Sequence, residues 1–189
     1  MAQSAPGAGP RALATAVTCL EITGTRVRLW PVEQPPAPSP PRPRDGWSTL
    51  VEAANHRVEQ RDRCLWVTVW RRPDLDTATG AALAQALVST LLDKISGPAS
   101  LRAVVLDLRQ APPINGPSTQ QSLGQLLAAC EQVGVTPALL HGGEGLPALQ
   151  LGRLVREHAP RLGQVSSDLA FAEALAQRVT PVTPSVRRK

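Results

Sequence analysis

Two short apolar segments with a helical pattern between them constrain the fold of this chain more than any other feature. Residues 64–70 (CLWVTVW) and 101–108 (LRAVVLDL) are rich in β-branched and apolar side chains on both faces, which predicts buried central strands. Between these segments, apolar residues recur at a spacing typical of one helix face: Leu83, Leu87, Leu91 and Ile95. A strand, a helix and a second strand in this order predict an α/β fold.

The same alternation continues to residue 177. A loop over 111–119 precedes a helix that starts near Pro117 and has an apolar face: Leu123, Leu126, Leu127, Cys130 and Val133. Further strands are predicted over 135–140 and 162–165, and further helices over 147–155 and from 166–168 onward. Before the first central strand, the pattern predicts a short helix over 50–56 and a strand from Val58. The expected architecture is a sheet covered by helices.

The flanking segments differ from this core in composition. Residues 1–13 are predicted to be disordered, 14–33 to form a short β-hairpin, 34–46 to be a proline-rich linker, 47–177 to form the α/β domain, and 178–189 to be a basic tail. Seven of the 19 prolines lie between Pro31 and Pro43, which favours an extended spacer. Such a segment is also typical of a ligand for SH3-type domains.

Charge and composition argue against nucleic-acid and membrane partners. The net charge of +5 is concentrated at the end of the chain, in Arg178, Arg187, Arg188 and Lys189, and leaves the predicted domain nearly neutral. One Phe, four Trp and no Tyr offer few stacking surfaces for bases. No apolar run is long enough to span a bilayer, and the start lacks the pattern of a secretion signal. We expect a cytoplasmic protein.

The sequence shows no recognisable combination of a nucleophile, a base and a residue to orient the base. We therefore expect no enzyme activity, cofactor or metal. The three cysteines are far apart in the sequence and form no metal-binding motif: Cys19, Cys64 and Cys130. His141-Gly142-Gly143 follows a predicted strand, as the oxyanion loop of an esterase does, but no G-x-S-x-G nucleophile motif accompanies it. Asp107, at the end of its strand, is expected to cap the adjacent loop. Phosphate-binding and dinucleotide-binding glycine motifs are absent from the sequence.

Four segments in order resemble the STAS domain, the fold of bacterial anti-sigma factor antagonists. Residues 74–79 (DLDTAT) are similar to the family's first helix start, and 104–108 (VVLDL) to its central strand. The third segment is the loop and helix that lead into Gly134-Val135, and the fourth is 165–176, which includes EALA. The resemblance covers residues 58–177. It implies a non-enzymatic module that docks a protein: a regulatory kinase, another STAS protein or a larger assembly. Oligomerisation is compatible with this role.

The same resemblance places the docking site at the loop and helix start over 115–123 and at the helix that faces them. The family's signature loop reads D-S-S-G-L-G and carries a phosphorylated serine, to which Ser118 corresponds. This chain has Asn115-Gly116-Pro117-Ser118-Thr119 instead, without the aspartate and without Gly-Leu-Gly. Ser118 and Thr119 are the candidate phosphorylation sites. The candidate partner-binding residues are Asn115, Gly116, Ser118, Thr119, Gln120 and Leu123; the alternative is that Ser118 only caps the helix.

A second family is also similar, the crotonase (enoyl-CoA hydratase-like) fold. Residues 66–73 resemble its V-x-x-N-R-P opening, and 102–106 (RAVVL) its following strand. Residues 137–151 are similar to its glycine-rich stretch, but Gly145-Leu146-Pro147 replaces the glycines, and proline removes an N–H donor. This resemblance implies, as the alternative, a catalytically inactive subunit that supports a CoA-dependent or acyl-transfer enzyme.

Overall fold

A computed structural model describes residues 39–97, 101–114, 116–143 and 145–179, together with two strands near the N-terminus. The chain divides into two compact units, Met1–Ala37 and Pro38–Lys189. In the first unit, β1 (Thr18–Thr23) pairs antiparallel with β2 (Arg26–Pro31). The predicted disorder over 1–13, and all but the first two residues of the predicted basic tail, lie outside the described residues.

The second unit contains one six-stranded sheet whose strands follow the order of the chain. The strands are β3 (Ser48–Glu52), β4 (His56–Arg61), β5 (Cys64–Trp70), β6 (Ala103–Gln110), β7 (Thr136–Leu140) and β8 (Gln164–Ser166). β4 pairs antiparallel with β3 on one side and with β5 on the other, and the pairs β5–β6, β6–β7 and β7–β8 are parallel. The prediction of an α/β fold in which helices cover a sheet is confirmed.

Four helices connect or follow the parallel strands: α1 (Thr77–Ser96), α2 (Pro117–Val133), α3 (Leu146–His158) and α4 (Leu169–Val179). Buried residues of α1, α2 and α3 share one apolar cluster with one face of the sheet, including Leu91, Leu127 and Leu151. Residues of α4 pack with the opposite face, where Ala172 joins Trp66. Three helices therefore cover one face of the sheet, and α4 covers part of the other.

Two sequence predictions within the fold are wrong. Residues 50–52 end β3, residues 53–55 connect the strands and His56 begins β4, so no helix forms here; Val51 pairs with Val58 of β4 and packs against the core. Val133, predicted on the buried face of α2, is 52% exposed. It is the last residue of the helix, where Gly134 adopts a left-handed conformation and turns the chain away.

Candidate docking surface

The predicted site lies at the start of α2, beside the start of α1. Both helices follow parallel strands, β5 and β6, so both begin at the same edge of the sheet. Asp76 caps α1, and its carboxylate accepts a hydrogen bond from the Thr79 N–H at 2.7 Å. Gly116 is the N-cap of α2 and supplies no side-chain cap. The interpretation of Ser118 as the cap is therefore wrong, because Ser118 is the second residue of the helix.

A groove of about 440 Å³ runs between the two helices at this end. It is lined on one side by α1 and on the other by α2, through small or uncharged polar residues: Ala78, Ala81, Ala82, Ala84, Gln85, Ser118, Thr119, Gln121, Ser122 and Gln125. No lining residue is ionisable. The absence of charge continues along most of both helices: α1 has no charged residue before Asp93, and α2 has none before Glu131.

The residues predicted to bind a partner lie at different depths. Ser118 is exposed, and Gly116, Thr119 and Gln120 are partly buried. The Gln120 side chain donates a hydrogen bond to the Ile114 carbonyl at 3.1 Å, which ties the loop to the helix. Leu123 is buried in the core between the helices and the sheet, so it supports this surface from beneath. Asn115 lies outside the described residues.

The sequence prediction included the helix that faces the 115–123 loop but named none of its residues. Ala78, Ala82 and Gln85 follow one another at helical spacing and are exposed. Their only signal in the sequence is a long uncharged stretch on the face opposite the apolar positions. Such a stretch becomes a candidate surface only once α2 is known to lie beside it.

Asp107 and the side chains of His56 and His141 have structural partners. The buried Asp107 carboxylate accepts hydrogen bonds from the Arg109 Nε and Nη2 atoms at 2.8 and 2.7 Å, and the hydrogen bond to Asp107 raises the pKa of Arg109. Nδ1 of His56 lies 2.8 Å from the Asn55 side-chain oxygen, and Nδ1 of His141 lies against the Gly143 carbonyl. These contacts hold loops and strand ends together and include no serine or cysteine nucleophile.

The two described cysteine side chains, Cys64 and Cys130, are buried and unpaired. Burial raises the pKa of each thiol to about 12. Across the described part of the chain, no three His, Cys, Asp or Glu side chains are placed to hold a metal ion. Within the same residues, no helix combines the length and apolarity needed to cross a membrane.

The comparisons with known proteins do not identify a family. No family model matches this chain, and the search of curated proteins finds no significant match either.

Proposed function

We propose that this chain is a non-enzymatic docking module that binds another protein, a regulatory kinase or an assembly partner, in the cytoplasm. The observation that carries the proposal is the uncharged groove between α1 and α2. Burying a charged side chain in an interface requires its desolvation, so the centres of protein interfaces are depleted of charge. A groove of alanine, serine and glutamine side chains avoids that penalty and still offers hydrogen bonds to a partner.

The position of Ser118 supports control of this docking by phosphorylation. The hydroxyl is exposed at the second residue of α2, next to a glycine cap. A phosphate on Ser118 is favoured by the positive end of the helix dipole and by uncapped backbone N–H groups. It also adds about two negative charges beside a groove whose lining residues carry none, and a partner that fits the neutral groove would have to desolvate them. Phosphorylation of Ser118 therefore dissociates the partner.

The resemblance of residues 58–177 to STAS domains supports the same role. Members of that family act by docking a partner protein at this loop and helix. The changed signature loop, Asn115-Gly116-Pro117-Ser118-Thr119, keeps two hydroxyls at the helix start. We propose that this chain binds its partner through the same surface as STAS domains do, although the sequence of its signature loop differs.

Affinity capture from the native cells, with four variants of the tagged chain, tests the proposal. The wild-type chain and Ser118→Ala should retain the same partner, whereas Ser118→Asp and Gln121→Arg should lose it. Ser96→Asp is the matched control, because it places the same charge at the other end of α1, where Ser96 is exposed. Mass spectrometry of the captured chain should find phosphate at Ser118 or Thr119 in the fraction that lacks the partner.

The identity and behaviour of the captured proteins decide between the alternatives. Recovery of a kinase-like ATPase or another regulatory protein, lost with Ser118→Asp and kept with Ser96→Asp, supports docking at the groove. Recovery of CoA-dependent or acyl-transfer enzymes that all variants retain would favour an inactive crotonase-like subunit. It would also exclude the groove as the docking site.

A further inference from the structure

The proline-rich segment Ser39–Arg44 has a restricted backbone. Proline fixes its own φ near −65°, and it keeps the preceding residue in extended or polyproline conformations. Pro40, Pro41 and Pro43 therefore restrict every residue from Ser39 to Pro43. The structure assigns no helix or strand to this segment, in agreement with a polyproline II path of three residues per turn.

One side of the segment is fixed to the domain at Pro41 and Arg44, which are three residues apart. The Pro41 carbonyl accepts a hydrogen bond from the buried Arg57 Nη1. The Arg44 N–H donates to the Glu59 carboxylate at 2.8 Å, and the Arg44 guanidinium lies 3.7 Å from the centre of the Trp66 ring. Both Pro41 and Arg44 are partly buried.

An ion pair with α4 strengthens the attachment at Arg44. Its Nη2 atom lies 2.9 Å from the Glu173 carboxylate of α4. Trp47 packs edge-on against Trp66, with 5.9 Å between ring centres, and its ring lies 5.7 Å from the Arg44 guanidinium carbon. The C-terminal end of the segment is thus attached to both the sheet and α4.

The other side of the segment faces solvent. Ser39, Pro40, Arg42 and Pro43 are all exposed. With three residues per turn, Ser39-Pro40 and Arg42-Pro43 lie one above the other as two consecutive X-Pro pairs. Domains that bind polyproline segments use aromatic-lined grooves that accept such a ridge. The domain therefore holds the Pro41 and Arg44 side of the polyproline II segment, which a ligand of this kind does not use. The exposed side, with its two X-Pro pairs, is the one that such a ligand does use.

We propose that Ser39–Pro43 is a preformed ligand for a polyproline-binding domain of the SH3 or WW type, with an acidic residue beside the groove to pair with Arg42. A free peptide must lose conformational entropy when it binds, and a segment already held on a folded domain loses less. The chain should therefore bind such a domain more tightly than the isolated peptide does. This proposal is independent of the groove between α1 and α2.

The test measures binding of the full chain to a panel of purified SH3 and WW domains. At least one domain should bind the chain, and a peptide of residues 36–46 should bind the same domain several-fold more weakly. Pro40→Ala with Pro43→Ala should reduce affinity by about tenfold or more, since both outward prolines are lost. Pro41→Ala is the matched control, with an expected change of about twofold or less because Pro41 faces the domain and keeps its carbonyl.

Two further variants locate the site and test the attachment. Replacing Pro35, Pro36 and Pro38 by alanine should leave binding unchanged. Arg44→Gln, which keeps the segment but removes its contact with Trp66, should reduce affinity toward that of the free peptide. If no domain of the panel binds the chain, or if the Pro40 and Pro43 substitutions leave binding intact, the proposal is overturned. Loss of binding on substitution of Pro35, Pro36 and Pro38 alone would also overturn it.

Discussion

The guanidinium of Arg44 lies over the indole ring of the fully buried Trp66 at 3.7 Å, and this contact joins the proline-rich segment to the sheet. We expect Arg44→Ala to lower the free energy of unfolding by about 1–2 kcal/mol, through loss of a partly desolvated cation–π contact. Arg42→Ala, two residues away and exposed, should change it by less than about 0.5 kcal/mol. Urea denaturation measures both, and equal effects of the two substitutions would contradict the attachment.

Gly142 lies against the backbone of the neighbouring strand end. A Cβ atom added there would be 2.5 Å from the Arg109 carbonyl oxygen, whereas one added at Gly143 would meet nothing within 4 Å. Because a backbone atom cannot move aside cheaply, Gly142→Ala should destabilise the fold by about 1–3 kcal/mol. Gly143→Ala is the matched control and should have little effect. Thermal or urea unfolding that ranks the two variants in the opposite order would show that the loop after β7 is placed differently.

His56 should make stability depend on pH. Burial lowers the pKa of His56 from its ordinary value of 6.5 in the folded chain. The unfolded chain therefore binds the proton first, and the free energy of unfolding should fall as the pH drops below about 6.5. A His56→Gln variant should lose that part of the dependence, and a variant that retains His56, such as His141→Gln, should keep it. The same pH dependence in wild type and His56→Gln, measured by urea denaturation from pH 5 to 8, would exclude His56 as its source.

The buried thiols should be inert in the folded protein. With the pKa of Cys64 and Cys130 raised to about 12, almost no thiolate is present at neutral pH, and both sulfurs are shielded from solvent. In a Cys19→Ser chain, a thiol reagent should label neither residue under native conditions and both in urea. Rapid native labelling of Cys130 would mean that α2 opens locally, and the groove beside α1 would then lack a stable wall.

The central part of the fold could be predicted from the sequence because its elements carry strong local patterns. Cys64–Trp70 is a strand as predicted, and α1 buries Leu87, Leu91 and Ile95 as their helical spacing predicts. The pattern over 50–56 failed because its apolar positions are too few to separate a helix from an edge strand. Only the pairing of Val51 with Val58 decides the conformation there.

The candidate surfaces were harder to predict, since they depend on residues distant in the sequence. Ser118 was found through a family resemblance, but the α1 side of its groove has no motif. Arg44 is unremarkable within a proline-rich run, and its role follows from Trp66 and Glu173, which are brought together by the sheet and α4. The sequence pattern indicates that such residues lie at the surface, but it does not indicate which residues they contact.

The most direct measurement is amide hydrogen exchange of the purified complex between this chain and the partner that Ser118→Asp loses, compared with the free chain. Docking at the groove predicts slower exchange in peptides from the first half of α1 (residues 77–86) and the first half of α2 (residues 118–126). Exchange in β3 should be unchanged. Protection confined to β3 or α4, with unchanged exchange at the starts of α1 and α2, would contradict docking at the groove.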